Sequence, residues 1–321
     1  MNNKSEIRLA MLGKIEGNGH PYSWSAIINS YDPAEMAKCP FPVIPQYLAK
    51  VPLNTMGIPG ARVTHVWTDN PADAPKVAAA SKIANIVARP EDVIGEVDAV
   101  IIATDDGREH IHRAGPFIEA GLPVFVDKPL AINVPDLNQF IQWHKAGKVF
   151  LSSSSMRYAP EIKEITRQKA QLGELRWVTA CSSKTWDRYA IHALEAIWPV
   201  LGPGFTGVRV ESQPGSNIAY LTHQSGVQVS LAVIYDAAGS FGTAHAFGTK
   251  GHLAVACQDT YTAFRDQLCA FVEMLRTGER PYPFSETIEL MAVIIAGLRS
   301  GEGGGRFVKL EEIYGELTTR G

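Results

Sequence analysis

Three groups of residues have the types and spacing to do chemistry. The first is a glycine turn, Gly13, Gly17 and Gly19 in "GKIEGNGHPYSW", which separates an apolar run from a helical stretch opening at His20. Backbone amides at such a helix start approach phosphates closely when no Cβ intervenes, which suits a dinucleotide pyrophosphate. The spacing is GxxxGxG rather than GxGxxG, so a flexible loop is the competing reading, and His20 either lines the cofactor or caps the helix. Asp69 ends the next apolar run, where an acid hydrogen-bonds a ribose diol and repels a 2′-phosphate; the Asp69–Asn70 pair equally suits a helix cap.

The second group is "FVDKPLA" (125–131), an apolar run that ends in Asp127 and Lys128 and is stopped by Pro129. A lysine there either reaches into a cleft or sits in a surface turn paired with Asp127. The third is "DRYAIHALEAIW" (187–198). Ile191, Leu194, Trp198 and Leu201 recur at helical spacing and define a buried stripe, while His192 lies off it, on a face shared with Arg188 and Glu195. An imidazole titrating near neutrality can carry a proton, and a nearby carboxylate can orient it.

The elements that must position these groups are legible in the apolar pattern. "IRLAML" (7–12), "RVTHVW" (62–67), "DAVIIAT" (98–104), "LPVFVD" (122–127) and "KVFLSS" (148–153) are continuous apolar runs, as strands covered on both faces require. Helical segments lie between them, two of them ending at Gly121 and Gly147. Such alternation predicts a doubly wound parallel sheet over residues 1–155. Ligands of open parallel sheets bind beyond the carboxyl ends of the strands. The segments there are the glycine turn, Asp69, Thr104 with Asp105 and Asp106 of "DDGREH", Asp127 with Lys128, and "SSSSMRY" (152–158). The proline-rich stretch 32–61 is read as an ordered insertion over the sheet edge or the cofactor cleft.

Beyond residue 155 the pattern becomes a helix, a long run "GELRWVTACSS", the His192 helix, and five extended runs joined by glycine-containing turns, with two final helices. Residues 156–321 are therefore expected to form an α+β domain with a large, mostly antiparallel sheet.

Composition narrows the function classes. Thirty Lys and Arg against thirty-three Asp and Glu leave no basic patch for nucleic acid or an anionic membrane. No run approaches bilayer length, and the reading is of a cytoplasmic protein. The four cysteines are scattered, without CxxC or histidine at ligand spacing, so neither a disulfide framework nor a metal site is expected.

The stretch "EVDAVIIATDDGREHIHRAGPFIEAGLPVFVDKPLA" (96–131) resembles the Gfo/Idh/MocA family of NAD(P)-dependent oxidoreductases. His110, Gly121, Asp127, Lys128 and Pro129 keep that family's spacing, with one extra residue after Thr104. The likeness continues through "SMRYAPEI", "LGELRWV", "YAIHALEAIWPVLG" and "FVEMLRTGERPYPFSETIELM". It implies a Rossmann nucleotide domain, a C-terminal sheet that walls the substrate and joins subunits as homodimer or homotetramer, and a lysine, here Lys128, in the active site. It also implies that His192 is the catalytic histidine. Thr104, Asp105, Asp106, His110, Asp127 and Lys128 then join the glycine turn, His20 and Asp69 as the cofactor-binding set.

Two departures stand out. Asp127 replaces the family's glutamate. Arg188 stands one turn before His192, where many relatives carry aspartate, with Asp187 a step off that face. Either Asp187 reaches in while Arg188 binds an acidic substrate group, or the proton relay is altered. The resulting expectation is a dehydrogenase using NAD, with NADP the alternative, on a secondary alcohol of a sugar, cyclitol or related polyol. Lys128 polarises the oxygen and His192 takes the proton. The competing readings are a non-catalytic or regulatory binding protein and an NAD-assisted hydrolase or lyase.

Overall fold

The computed structural model describes residues 6–318. In chain order the first half contains β1 (Ile7–Leu12), α1 (His20–Asn29), α2 (Pro33–Met36), α3 (Val43–Leu48), β2 (Ala61–Trp67), α4 (Ala74–Ser81), β3 (Asn85–Ile86), β4 (Ala99–Ile102), α5 (His110–Glu119), β5 (Val124–Val126), α6 (Val134–Lys145) and β6 (Phe150–Leu151). The strands form one six-stranded sheet in the order β3-β2-β1-β4-β5-β6. Each neighbouring pair is parallel. This is the doubly wound Rossmann order, with the reversal of winding between β1 and β4. Continuous apolar sequence has the expected consequence: every residue of β4 and β5 is buried.

The second half contains α7 (Pro160–Gln168), β7 (Leu175–Ser183), α8 (Trp186–Leu201), β8 (Phe205–Gln213), β9 (Ser216–His223), β10 (Gln228–Ile234), β11 (Thr243–Gly248), β12 (Gly251–Ala256), α9 (Thr260–Thr277), α10 (Phe284–Glu302), β13 (Val308–Lys309) and α11 (Leu310–Thr318). Its seven strands run β12-β11-β7-β10-β9-β8-β13. All neighbours are antiparallel except β7 with β10. Alternation decides the faces. Val229, Leu231 and Val233 of β10 are buried, while Gln228 is exposed and Ser230, Ala232 and Ile234 are half-buried. On the open face Trp177 stacks on Phe247 with ring centres 4.8 Å apart.

The chain divides into two compact units built from discontinuous segments. One comprises the described residues up to Asp127 with Gln142–Ser152 and Phe264–Pro281; the other comprises Lys128–Ile141, Ser153–Ala263 and the residues from Tyr282 onward. Five of these elements were absent from the sequence expectation: the two-residue strands β3 and β13, the helices α2 and α3 within the insertion, and α11. The insertion is ordered, as anticipated, but it packs on the helical layer, α3 on α1 and α2 on α4, rather than on a strand edge. Tyr47 of α3 is hydrogen-bonded to Ser23 of α1. Among the described residues no helix is long and apolar enough to cross a membrane, and no cluster of three or more metal-ligating side chains occurs.

Candidate active site

In the first unit the predicted cofactor residues gather at the carboxyl ends of β1, β2, β4 and β5. Gly13 follows β1 at φ +92°, a conformation that favours glycine. A Cβ there would lie 2.6 Å from Thr104 Cγ2 and 3.7 Å from Asp69 Oδ2, so Gly13, Asp69 and Thr104 share one spot. Gly17, at φ +75°, faces open space with nothing within 4 Å of its missing Cβ. Gly19 has a different reason to be glycine. Its Cβ would meet Ile44 Cδ1 at 2.5 Å and Phe41 Cδ2 at 2.8 Å, so side chains of the insertion occupy that position.

Asp69 does not cap α4. Its Oδ2 accepts the Lys14 backbone N–H at 2.8 Å and its Oδ1 accepts Arg113 Nη2 at 2.7 Å. Burial works against the Arg113 charge, yet Asp69 and Glu109 outweigh it and hold the guanidinium above its ordinary range. Lys14 Nζ is 2.8 Å from Asp73 and holds that carboxyl below its ordinary range. A cleft of about 240 Å³ opens beside these groups, lined by Gly13, Trp67, Pro90, Ile102, His112 and Arg113 among others.

Thr104 is wholly buried and its hydroxyl oxygen has no hydrogen-bond partner. His110, also wholly buried, donates Nε2–H to the Thr104 carbonyl at 2.6 Å, so it holds this loop in shape. Asp105 and Asp106 are buried, and Asp106 is clasped by Arg108 at 2.5–2.8 Å. An orphaned hydroxyl beside a glycine turn that opens on free space fits a dinucleotide.

At the next strand end, His20 Nδ1 lies 2.5 Å from Asp127 Oδ2, and the His20 ring stacks on Trp24 at 4.2 Å. Asn18 braces the turn, donating Nδ2–H to the Ala103 carbonyl at 3.0 Å and accepting the His20 N–H at 2.7 Å. Sequence reading passed over Asn18 and Arg113; a polar residue inside a glycine turn was the available signal for the first.

The second unit brings together the residues proposed for chemistry. Lys128 is 2 % exposed. Its Nζ lies 4.4 Å from the centre of the Tyr189 ring and donates to the Arg188 carbonyl at 3.4 Å. His192 packs against the same Tyr189 ring at 4.9 Å and against Phe241 at 5.0 Å. Tyr189 thus separates the ammonium from the imidazole by one aromatic side chain. Lys184 donates to Tyr189 Oη at 2.6 Å. Asp187 and Arg188 are half-buried on the first turn of α8. Trp186 is in the core, with its Nε1–H donated to the Ile294 carbonyl.

The polar face inferred for α8 is not a solvent face. His192 and Glu195 are 6 % and 1 % exposed. His192 Nδ1 is 2.7 Å from Ser154 Oγ, and Glu195 is held by Arg157 Nε at 2.8 Å and by the Ser154 N–H at 3.1 Å. Arg157 also donates to Glu286 at 2.7 Å and lies 4.1 Å from the Tyr282 ring. It is a buried structural hub. Burial pushes the Glu195 carboxyl above its ordinary range while Arg157 pulls it down, and Arg157 stays firmly protonated between its two carboxylates.

Comparison with known proteins gives a consistent outline. Residues 49–154 match the GFO_IDH_MocA family, described as an oxidoreductase family with an NAD-binding Rossmann fold. Over 83 residues the chain is 29 % identical to a protein of Amycolatopsis mediterranei (strain S699) described as the oxidoreductase subunit of a UDP-kanosamine synthase; the match spans 26 % of this chain and 23 % of that protein. The fold is similar to that of scyllo-inositol dehydrogenase from Lactobacillus casei with bound NAD(H) and scyllo-inositol, at TM-score 0.74 and 13 % identity over 95 % of this chain and 99 % of that one. It is also similar to that of myo-inositol 2-dehydrogenase from Lactobacillus plantarum, at TM-score 0.75 and 14 % identity over the same shares.

Proposed function

We propose, from the match of residues 49–154 to the Gfo/Idh/MocA oxidoreductase family with its NAD-binding Rossmann fold, that this chain is a dehydrogenase acting on a secondary alcohol of a sugar, cyclitol or related polyol. The observation that carries the reading is the placement of the Lys128 ammonium and the His192 imidazole on one ring, Tyr189.

NAD, when bound, supplies the hydride acceptor. Gly13, Gly17, Thr104 and Asn18 would hold its phosphates and Asp69 its ribose diol. Lys128 donates a hydrogen bond to the substrate oxygen and stabilises the negative charge that gathers there. The Tyr189 face and the Arg188 carbonyl keep the ammonium charged in a buried place. His192 takes the hydroxyl proton. The alcohol becomes a carbonyl, one hydride and one proton leaving it.

Lys184 and Arg188 both precede the same tyrosine in sequence, with Asp187 the one carboxylate between them. This favours a substrate that also bears a carboxylate or phosphate. The open face of the seven-stranded sheet, with Trp177 stacked on Phe247, is the proposed self-association surface of a homodimer or homotetramer working in the cytoplasm.

A panel of neutral polyols, uronic acids and sugar phosphates offered with NAD or NADP, read by absorbance of the reduced nucleotide, tests the reading. Turnover of at least one polyol with NAD is expected. Nucleotide binding without turnover of any would overturn it.

A further inference from the structure

Ser154 is wholly buried in the segment between β6 and α7. Its hydroxyl oxygen lies 2.7 Å from His192 Nδ1 and accepts the Met156 N–H at 3.1 Å. Its own backbone N–H is donated to Glu195 Oε1 at 3.1 Å. Glu195 is in turn fixed by Arg157, and Arg157 by Glu286, which also accepts Trp198 Nε1–H at 2.6 Å. The serine is therefore anchored through backbone and side chain to a buried ion-pair network and cannot swing away from the imidazole.

We propose that Ser154 is the positioning residue for His192: its hydroxyl fixes Nδ1 and so leaves Nε2 as the nitrogen that works on the substrate. The inference rests on the reading of His192 as proton acceptor, and Ser154 acts only through that ring.

The position one turn before His192 holds Arg188, whose backbone carbonyl receives Lys128. No carboxylate is supplied from there, and the partner of Nδ1 comes from the 152–155 loop instead. The exchange has chemical consequences. A carboxylate only accepts, so it favours the doubly protonated imidazolium. A hydroxyl donates one hydrogen bond and accepts two. When Nε2 is poised to take a proton, Nδ1 keeps its hydrogen, and Ser154 Oγ accepts both Nδ1–H and the Met156 N–H. When Nδ1 presents its lone pair, the hydroxyl hydrogen turns toward it. Oγ thus stays bonded to Nδ1 in either neutral tautomer without moving a heavy atom.

The test uses the full chain labelled with nitrogen-15 histidine, with His192 assigned by the loss of its signals in His192→Gln. Ring nitrogen shifts are followed against pH in wild type, Ser154→Ala and Ser154→Thr. Ser154→Cys, close in shape with a far weaker hydrogen bond, serves as a second loss variant. In the Ala and Cys variants the ratio of the two neutral His192 tautomers is expected to change about fivefold, the weight of one hydrogen bond, while threonine restores it. NADH affinity by fluorescence stays unchanged in all. Unaltered His192 nitrogens in folded Ser154→Ala or Ser154→Cys, or a threonine variant indistinguishable from alanine, would overturn the assignment. These readouts need no substrate, so absence of polyol turnover in wild type sinks the dehydrogenase reading alone, and unaltered nitrogens sink the role of Ser154 alone.

Discussion

His20 and Asp127 meet at 2.5 Å, imidazole to carboxylate, and join the start of α1 to the end of β5. The carboxylate is wholly buried. Asn18 Nδ2 lies farther off, at 3.5 Å, so the histidine makes the closer of these two contacts.

Replacing His20 with alanine removes a short contact to that buried carboxylate, and the expected cost is about 1–3 kcal/mol, as for a buried acceptor that loses a partner. Urea unfolding of His20→Ala and His20→Gln checks this. Glutamine retains a donor and should lose less than alanine; equal midpoints for wild type and alanine would mean that the pair carries no stability.

Lys128→Met keeps most of the apolar stem against Tyr189 and removes only the charge. On the proposed chemistry it lowers kcat by roughly 10²–10³, the scale seen when one donor to a developing oxyanion is lost. NADH affinity should hold, because the nucleotide contacts lie on other residues. A loss of binding with kcat retained would contradict the assigned role.

Asp69, the proposed ribose ligand, also ties up Arg113. In Asp69→Ala the guanidinium is released to a 2′-phosphate, by charge-assisted bonds. The ratio of NADH to NADPH affinity should fall on the order of tenfold to a hundredfold. Fluorescence titration with each nucleotide measures it, and Asp69→Ala with Arg113→Ala should return NADPH affinity toward the starting value.

On the open sheet face His245 Nε2 and His252 Nδ1 are 3.0 Å apart. Burial pushes His245 below its ordinary imidazole value, and His252 pushes the same way. A depressed imidazole means that the unfolded chain takes the proton first. Its contribution is intact above about pH 6.5, the unfolded value, and is lost as pH falls through the lower folded value. Thermal melts between about pH 7 and about pH 5 should show a shallower decline for His245→Gln than for wild type. Identical slopes would remove this pair from the acid response.

The strands β1, β4 and β5 were legible because burial on both faces writes itself as largely unbroken apolar sequence. Both residues of β3 are exposed, so nothing in "NI" marks a strand. In the site, Lys128 and His192 were visible by type and setting. Ser154 was not, since four consecutive serines look alike and only one touches an imidazole 38 positions away. Glu195 was misjudged for a related reason: helical spacing put it on a polar face, and the group that lets a carboxylate be buried there, Arg157, comes from a different segment. Long-range partners of charged residues leave no local pattern to read.

The crowding of Ile44 and Phe41 onto the bare α-carbon of Gly19 ties two distant stretches of gene together. A lineage that acquired the proline-rich segment had to surrender any side chain at that spot, and one that later shed the segment would be released to drift there. Across homologues, bulk at the place of Gly19 should go with absence of the inserted helices, and the two should be gained or lost as one heritable trait.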